Sequence, residues 1–253
     1  MSFVIIYHRD KTIKARLYHS CTHLFYNVME SISREQLRFV HPFTMTLAGG
    51  RRTGKTHFTK TLLQRNLDLV SSPPLNMIVW FYGAQQHEVF SELDKTMQVL
   101  GQRIEFVHGL PKEKTIQELV NEWSGQRKLI VLDDLMEKAS NRDDVAALFT
   151  HGRHENLSVM FLTQNFFHKS KHARDMSLNI DYAVLFKNTR DPSMVMHLGQ
   201  QMGNVKFLKE AYRSATKDPF SHLFIDMRSD TPDVMRFRSN VLEEEQFLYQ
   251  PID

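Results

Sequence analysis

Two apolar patterns alternate along this chain. Phe43-Thr44-Met45-Thr46-Leu47-Ala48, Met77 to Tyr82, Leu129 to Leu132, Val159 to Leu162 and Tyr182 to Phe186 are short runs dominated by apolar and β-favouring residues, the pattern of strands covered on both faces. Between them, stretches with helical spacing predict helices over His57 to Leu69, about Val89 to Leu100, about Thr115 to Trp123, about Asp143 to His151, and Ser193 to Met202. A strand over Ile104 to Val107 and a final strand pair near His222 to Asp226 and Val234 to Phe237 complete the series, and Ser71-Ser72-Pro73-Pro74 marks a break. Strands alternating with helices predict an α/β layered domain with a mainly parallel central sheet flanked by helices, its ligand at the carboxyl ends of the strands. Met1 to His41 is less regular: an apolar run (Phe3 to Tyr7), a basic stretch (Arg9, Lys11, Lys14, Arg16) and a helix-like segment around His23 to Ile32. Residues 1–41 therefore read as an N-terminal appendage packed on a core domain of residues 42–253.

Composition narrows the class. A chain of 253 residues, 42% hydrophobic and 24% charged, fits one large globular domain. No apolar run approaches the roughly 20 residues needed to span a bilayer, so no membrane insertion is expected. Cys21 stands alone, which rules out an intrachain disulfide, and the first residues lack a signal-peptide layout; a reducing intracellular compartment is the expectation. The net charge of +3 permits a polyanionic partner without requiring one. His151 and His154 have no third ligand nearby in sequence and read as polar surface groups.

The chemistry is concentrated between the first buried run and the first helix. Gly49-Gly50-Arg51-Arg52-Thr53-Gly54-Lys55-Thr56 fills the phosphate-loop pattern G-x-x-x-x-G-K-[ST], followed by His57. In such a loop the backbone N–H groups converge on phosphate oxygens, and the following helix adds its positive end. Lys55 is expected to reach the β and γ phosphates and Thr56 to offer its hydroxyl to Mg²⁺. Arg51 and Arg52 either contact phosphate or a neighbour, or remain solvated.

Lys128-Leu129-Ile130-Val131-Leu132-Asp133-Asp134 is an apolar strand ending in two acids whose side chains alternation sends different ways. Asp133 is assigned to the Mg²⁺ shell with Thr56, and Asp134 to orienting the water that attacks the γ-phosphate. Val159 to Asn165 repeats the design and delivers Gln164, with Thr163 beside it, to the same edge. No Asn-Lys-x-Asp guanine-reading motif occurs, so ATP is the expected nucleotide.

These motifs also carry a family resemblance. The phosphate loop, the double-acid strand, Phe149-Thr150-His151-Gly152-Arg153-His154 leading to Ser158, the Thr163-Gln164-Asn165 strand end and Phe186-Lys187-Asn188-Thr189-Arg190-Asp191 together resemble viral genome-packaging ATPases of the FtsK–HerA superfamily, in the forms found in poxviruses, giant viruses, virophages and polinton-type elements. The resemblance covers about Thr44 to Gln201. It implies an additional-strand (RecA-like) P-loop fold with a strand between the two Walker strands, a homo-oligomeric ring of copies of the chain, and ATP-driven movement of double-stranded DNA into a preformed capsid at an intracellular assembly site. Capsid or portal proteins are the implied further partners. Cellular members often end the second Walker strand in Asp-Glu; here it is Asp-Asp. The family position of the arginine finger falls on Arg153, with Arg190 the second candidate. The basic run His168 to Arg174 comes directly after the Gln164 strand end, so Lys169, Lys171 and Arg174 are the candidate contacts to a DNA backbone. The alternatives are another translocase or helicase of the same superfamily, or a P-loop small-molecule kinase, which would need an acceptor site and an arginine-rich lid.

Overall fold

The computed structural model describes residues 3–7, 34–71, 73–110, 118, 121–135, 141–167 and 172–251. Its strands are β1 (Phe3–Tyr7), β2 (Thr44–Ala48), β3 (Met77–Tyr82), β4 (Arg103–His108), β5 (Lys128–Asp133), β6 (Leu157–Thr163), β7 (Tyr182–Phe186), β8 (His222–Asp226), β9 (Phe237–Ser239) and β10 (Gln246–Gln250). They form one sheet in the order β1-β10-β9-β8-β7-β2-β6-β5-β3-β4. From β7 to β4 the neighbours run parallel; from β7 through β8, β9 and β10 to β1 they run antiparallel. β6 lies between β2, which leads into the glycine-rich loop, and β5, which carries the two acids. That is the inserted strand the resemblance implies.

The helices are α1 (Lys55–Gln64), α2 (Asn66–Leu69), α3 (His87–Val99), α4 (Asp143–His151), α5 (Ala173–Leu178), α6 (Ser193–Gln201), α7 (Val205–Ala215) and α8 (Asp233–Arg236). Strand alternation divides the core. Met45, Leu47, Ile78, Trp80, Leu129, Val131 and Val184 point to one face, where Phe58 and Leu62 of α1 and Leu93 and Met97 of α3 cover them. Val79, Phe81, Ile130, Leu132 and Phe161 point to the other, against Val145, Leu148 and Phe149 of α4. On that second face α6 and α7 cover Ala183, Leu185, Leu223 and Ile225. Burying a side chain such as Phe58 or Leu62 contributes about 2 kcal/mol, so α1 is held by its apolar face rather than by helix propensity. β4, at the sheet edge, is the one strand of the parallel block in which exposed positions appear at both ends.

Several expectations need correction. The helix over His57 to Leu69 is two helices broken at Arg65, where Asn66 turns into the core and pairs amide to amide with Gln102, each bond 2.8 Å. Val234 to Phe237 is not a strand: Asp233–Arg236 makes a helical turn after Pro232, and the strand starts at Phe237. α7 and β10 were not anticipated. α7 buries Phe207, Leu208, Ala211 and Ala215 along one stripe and is capped by the Asn204 side chain, which accepts from the Phe207 N–H at 3.1 Å. The helix-like segment His23 to Ile32, the basic stretch Arg9 to Arg16 and most of the helix expected at Thr115 to Trp123 lie outside the described residues. Among the described residues no helix is long and apolar enough to cross a membrane.

Candidate nucleotide site

The glycine-rich loop joins a fully buried strand to a helix that starts at its lysine. Gly49 N–H donates to the Thr163 carbonyl at 3.2 Å, which ties the loop to the end of β6. Gly49 cannot be larger: a Cβ there would sit 2.6 Å from the Phe186 Cβ. Gly54 immediately precedes α1 at φ 107, a conformation that side chains disfavour. Arg52 holds φ 60, and the Thr53 hydroxyl closes the loop by donating to the Gly50 carbonyl at 2.9 Å. The Lys55 ammonium folds over the loop, donating to the carbonyls of Gly49 (2.8 Å) and Gly50 (2.7 Å). Burial pulls the Lys55 pKa below its ordinary value, while the charges of Asp133 and Asp134 oppose that fall. Both acids therefore act on the same ammonium.

The acids end β5 in different environments. Asp133 is buried on the face that α1 and α3 cover, and its Oδ2 accepts from Gln86 Nε2 at 3.2 Å. Burial pushes its carboxyl up to about 6, and the Asp134 charge beside it pushes the same way. Asp134 leaves the strand at φ 55, exposed, with its N–H on the Leu162 carbonyl at 3.1 Å. Holding a non-glycine residue there costs about 1 kcal/mol, least for Asp and Asn. At the end of β6 the Gln164 amide donates to Asp134 Oδ1 at 3.1 Å. Thr163 is turned inward, buried, and its hydroxyl donates to the Asn165 carbonyl at 2.9 Å.

Two clefts flank the loop. One, of about 620 Å³, is lined by Arg52, Lys55, Thr56, His57, Gln86 and Phe220. The other, of about 770 Å³, lies on the far side of the loop, where Arg51, Gln164, Lys187, Asn188 and Arg190 meet. The structure thus brings Arg190 to the loop edge of its own chain. Arg153 is elsewhere. It sits in the 3-10 turn Gly152–Glu155 ahead of β6 and forms an ion pair with the buried Asp181. Asp181 Oδ2 also accepts from the backbone N–H (2.7 Å) and hydroxyl (2.9 Å) of Thr44, the first residue of β2. At about 3.3 Å rise per residue, β2 separates this network from its own phosphate loop by roughly 15 Å. Of the candidate DNA contacts, Arg174 is exposed on α5, whereas Lys169 and Lys171 lie outside the described residues.

Three neighbours of the loop were not assigned to the site from the sequence, although Phe186 opens one of its motifs. Phe186 backs Gly49 and Gly54, Gln86 reaches Asp133, and Phe220 borders the loop from across the sheet. Beneath them His222 is packed between Phe58 (5.0 Å between ring centroids) and Phe186 (5.3 Å), and burial holds its pKa down to about 4.

The sequence model of the Poxvirus A32 protein family matches residues 29–202, more than half of the chain and all of the elements from the glycine-rich loop to α6. Among solved structures, the genome packaging NTPase B204 from Sulfolobus turreted icosahedral virus 2, in complex with ATP-gammaS, superposes with a TM-score of 0.50 at 12% identity. That likeness covers 88% of this chain and 100% of the other, and it bears on the fold. EccC (ATPases 2 and 3) from Thermomonospora curvata, in complex with a signal sequence peptide, gives a TM-score of 0.46 at 12% identity, over 83% of this chain and 37% of that one. A sequence search of curated proteins finds no match. The fold is that of the P-loop NTPases, a mostly parallel mixed sheet flanked by helices.

Proposed function

The chain belongs to the Poxvirus A32 protein family, and from that premise we propose that it is a viral genome-packaging ATPase, the motor subunit that drives double-stranded DNA into a capsid. The observation that carries the reading is the meeting of three strand ends at one edge: the loop after β2 with Lys55, the acids of β5 and Gln164 of β6. That constellation suits water as the phosphoryl acceptor.

ATP would lie with its phosphates in the loop, replacing the Gly49 and Gly50 carbonyls as partners of the Lys55 ammonium. The exchange is favourable because a phosphate oxygen carries charge and a carbonyl does not. The donor set also fits Mg²⁺: the Thr56 hydroxyl and the buried Asp133 carboxylate are hard oxygen ligands, and such a site needs only one or two protein groups besides phosphate. Mg²⁺ there would supply charge neutralisation between β and γ phosphates. Asp134, exposed and hydrogen-bonded by Gln164, accepts a hydrogen bond from the attacking water and aligns its oxygen with the γ-phosphorus as the bond to ADP breaks. Gly50 to Gly54 and His57 line the path of the phosphates on either side of Lys55.

Copies of the chain would assemble as a ring, with Arg153 acting on the neighbour's γ-phosphate. Its guanidinium lies away from its own loop, half exposed beside Asp181, and would exchange that ion pair for the neighbour's γ-phosphate. Lys169, Lys171 and Arg174 would grip the DNA backbone irrespective of sequence, in a host cell at the virus assembly site. The test is ATP turnover with and without double-stranded DNA, using Lys55→Ala as the inactive control. Stimulation by DNA is expected, and turnover indifferent to DNA would reject the motor.

A further inference from the structure

The segment between α7 and β8 contains a backbone anomaly beside the phosphate loop. Asp218-Pro219-Phe220-Ser221 is a four-residue turn closed by the Ser221 N–H on the Asp218 carbonyl at 3.3 Å, with the Ser221 hydroxyl on the same oxygen at 2.6 Å. Proline fits the second position of such a turn. A positive φ at the third position calls for Gly or Asn, because a Cβ there meets the backbone. Phe220 occupies it at φ 65. A bulky residue in that region is a steric outlier, a strain that glycine would avoid.

Core packing does not explain the choice. Phe220 is 68% exposed. Its ring instead flanks the loop: a Cβ on Gly54 would lie 3.4 Å from the Phe220 Cβ and 3.6 Å from its Cδ1. Together with Thr56 and His57 it walls the cleft of about 620 Å³ that opens beside the last turn of the phosphate loop. The turn is also held from below, where the buried His222 ring abuts the Phe220 backbone.

We infer that Phe220 is the stacking platform for the base of the bound nucleotide, and so a residue that favours a nucleotide over bare phosphates at this site. The inference rests on the nucleotide reading above. Stacking uses the π face that every base has and makes no hydrogen bond to its edge, so Phe220 favours a nucleotide over bare phosphates.

Two probes separate the base from the phosphates: ADP and inorganic tripolyphosphate, each titrated into the full chain by calorimetry. Phe220→Ala should weaken ADP on the order of tenfold, the loss typical of a removed base–aromatic stack, and leave tripolyphosphate within about twofold. Phe220→Tyr should retain ADP affinity. Phe220→Trp should show fluorescence quenching with ADP that tripolyphosphate does not produce and the unmodified chain does not show. Equal weakening of both ligands by Phe220→Ala would make Phe220 a support of the loop. No change in either, or no quenching in Phe220→Trp, would remove the base from this cleft. If the unmodified chain binds neither probe, the nucleotide reading itself fails; if it binds both and the variants do not separate them, only the platform fails.

Discussion

Asp133 offers the sharpest test of the site, because its burial makes opposite demands on stability and on function. Its carboxyl is pushed from 3.8 up to about 6. The folded state therefore binds a proton more tightly than the unfolded chain, and between pH 3.8 and 6 stability falls as pH rises. A shift of about two units at roughly 1.4 kcal/mol each gives a cost near 3 kcal/mol for keeping the ionised group buried above pH 6. Asp133→Asn removes the charge at nearly constant shape and can still accept from Gln86. The ligand-free variant should thus be more stable than the parent at pH 7.5, by about 1–3 kcal/mol once local relaxation is allowed for, and melt several degrees higher. The advantage should shrink to about a third, roughly 1 kcal/mol at most, at pH 4.5, where the folded acid is protonated but the unfolded one is still mostly ionised, and vanish only below pH 3.8. Urea unfolding in EDTA at the two pH values measures this, and acid effects elsewhere cancel in the difference. In the same variant, the extra stabilisation that Mg²⁺ adds to ADP should be lost. An Asn variant no more stable than the parent at pH 7.5, or a gain that persists undiminished at pH 4.5, would refute both the buried charge and the account of the strand end.

Other outcomes rest on the same geometry. His222 is held from 6.5 down to about 4 by burial, so the unfolded chain takes up its proton first and stability is lost as pH falls through that window; His222→Phe, set between Phe58 and Phe186, should flatten this part of the pH–stability curve, and an unaltered curve would mean the ring is already solvated. Gly49→Ala should cost about 2 kcal/mol or more and abolish ATP turnover, since its Cβ would stand 2.6 Å from that of Phe186; a fold as stable as the parent by thermal melting would contradict the packing described. Arg153→Ala should bind ATP normally but hydrolyse it on the order of a thousandfold more slowly in assembled copies. Mixing it with Asp134→Asn should restore turnover where an intact arginine meets an intact acid, and full activity of Arg153→Ala alone moves the assignment to Arg190.

The parts of this protein legible in its sequence are those whose physics is local. The glycine-rich loop needs a strand before it, a helix after it and fixed residue types between, all within about twenty consecutive positions. Buried parallel strands such as Met77–Tyr82 and Tyr182–Phe186 are covered on both faces and read as continuous apolar runs, so their limits could be set without a fold. The elements missed were those with weaker local signals. α7 intersperses its apolar stripe with Lys206, Lys209, Glu210 and Arg213, and its spacing, Phe207, Leu208, Ala211 and Ala215, was there to be found. β10 runs Gln-Phe-Leu-Tyr-Gln after three glutamates, and it becomes a strand by pairing with β1 and β9 rather than by its own pattern.

Only the tertiary structure decided what surrounds the loop. Phe220 is far from Gly54 along the chain yet within van der Waals reach of it in the fold, because β8 returns antiparallel beside β7. Arg153 meets Asp181, and Asp181 in turn meets Thr44, because β6, β2 and β7 are neighbours in the sheet although their order along the chain is different. Asp133 and Asp134 are identical side chains adjacent in sequence. One is buried and pushed to about 6, the other stands in solvent at φ 55. A residue type carries its chemistry wherever it occurs, but its proton affinity and its partners depend on which surfaces exclude water around it, and those surfaces come from distant parts of the chain.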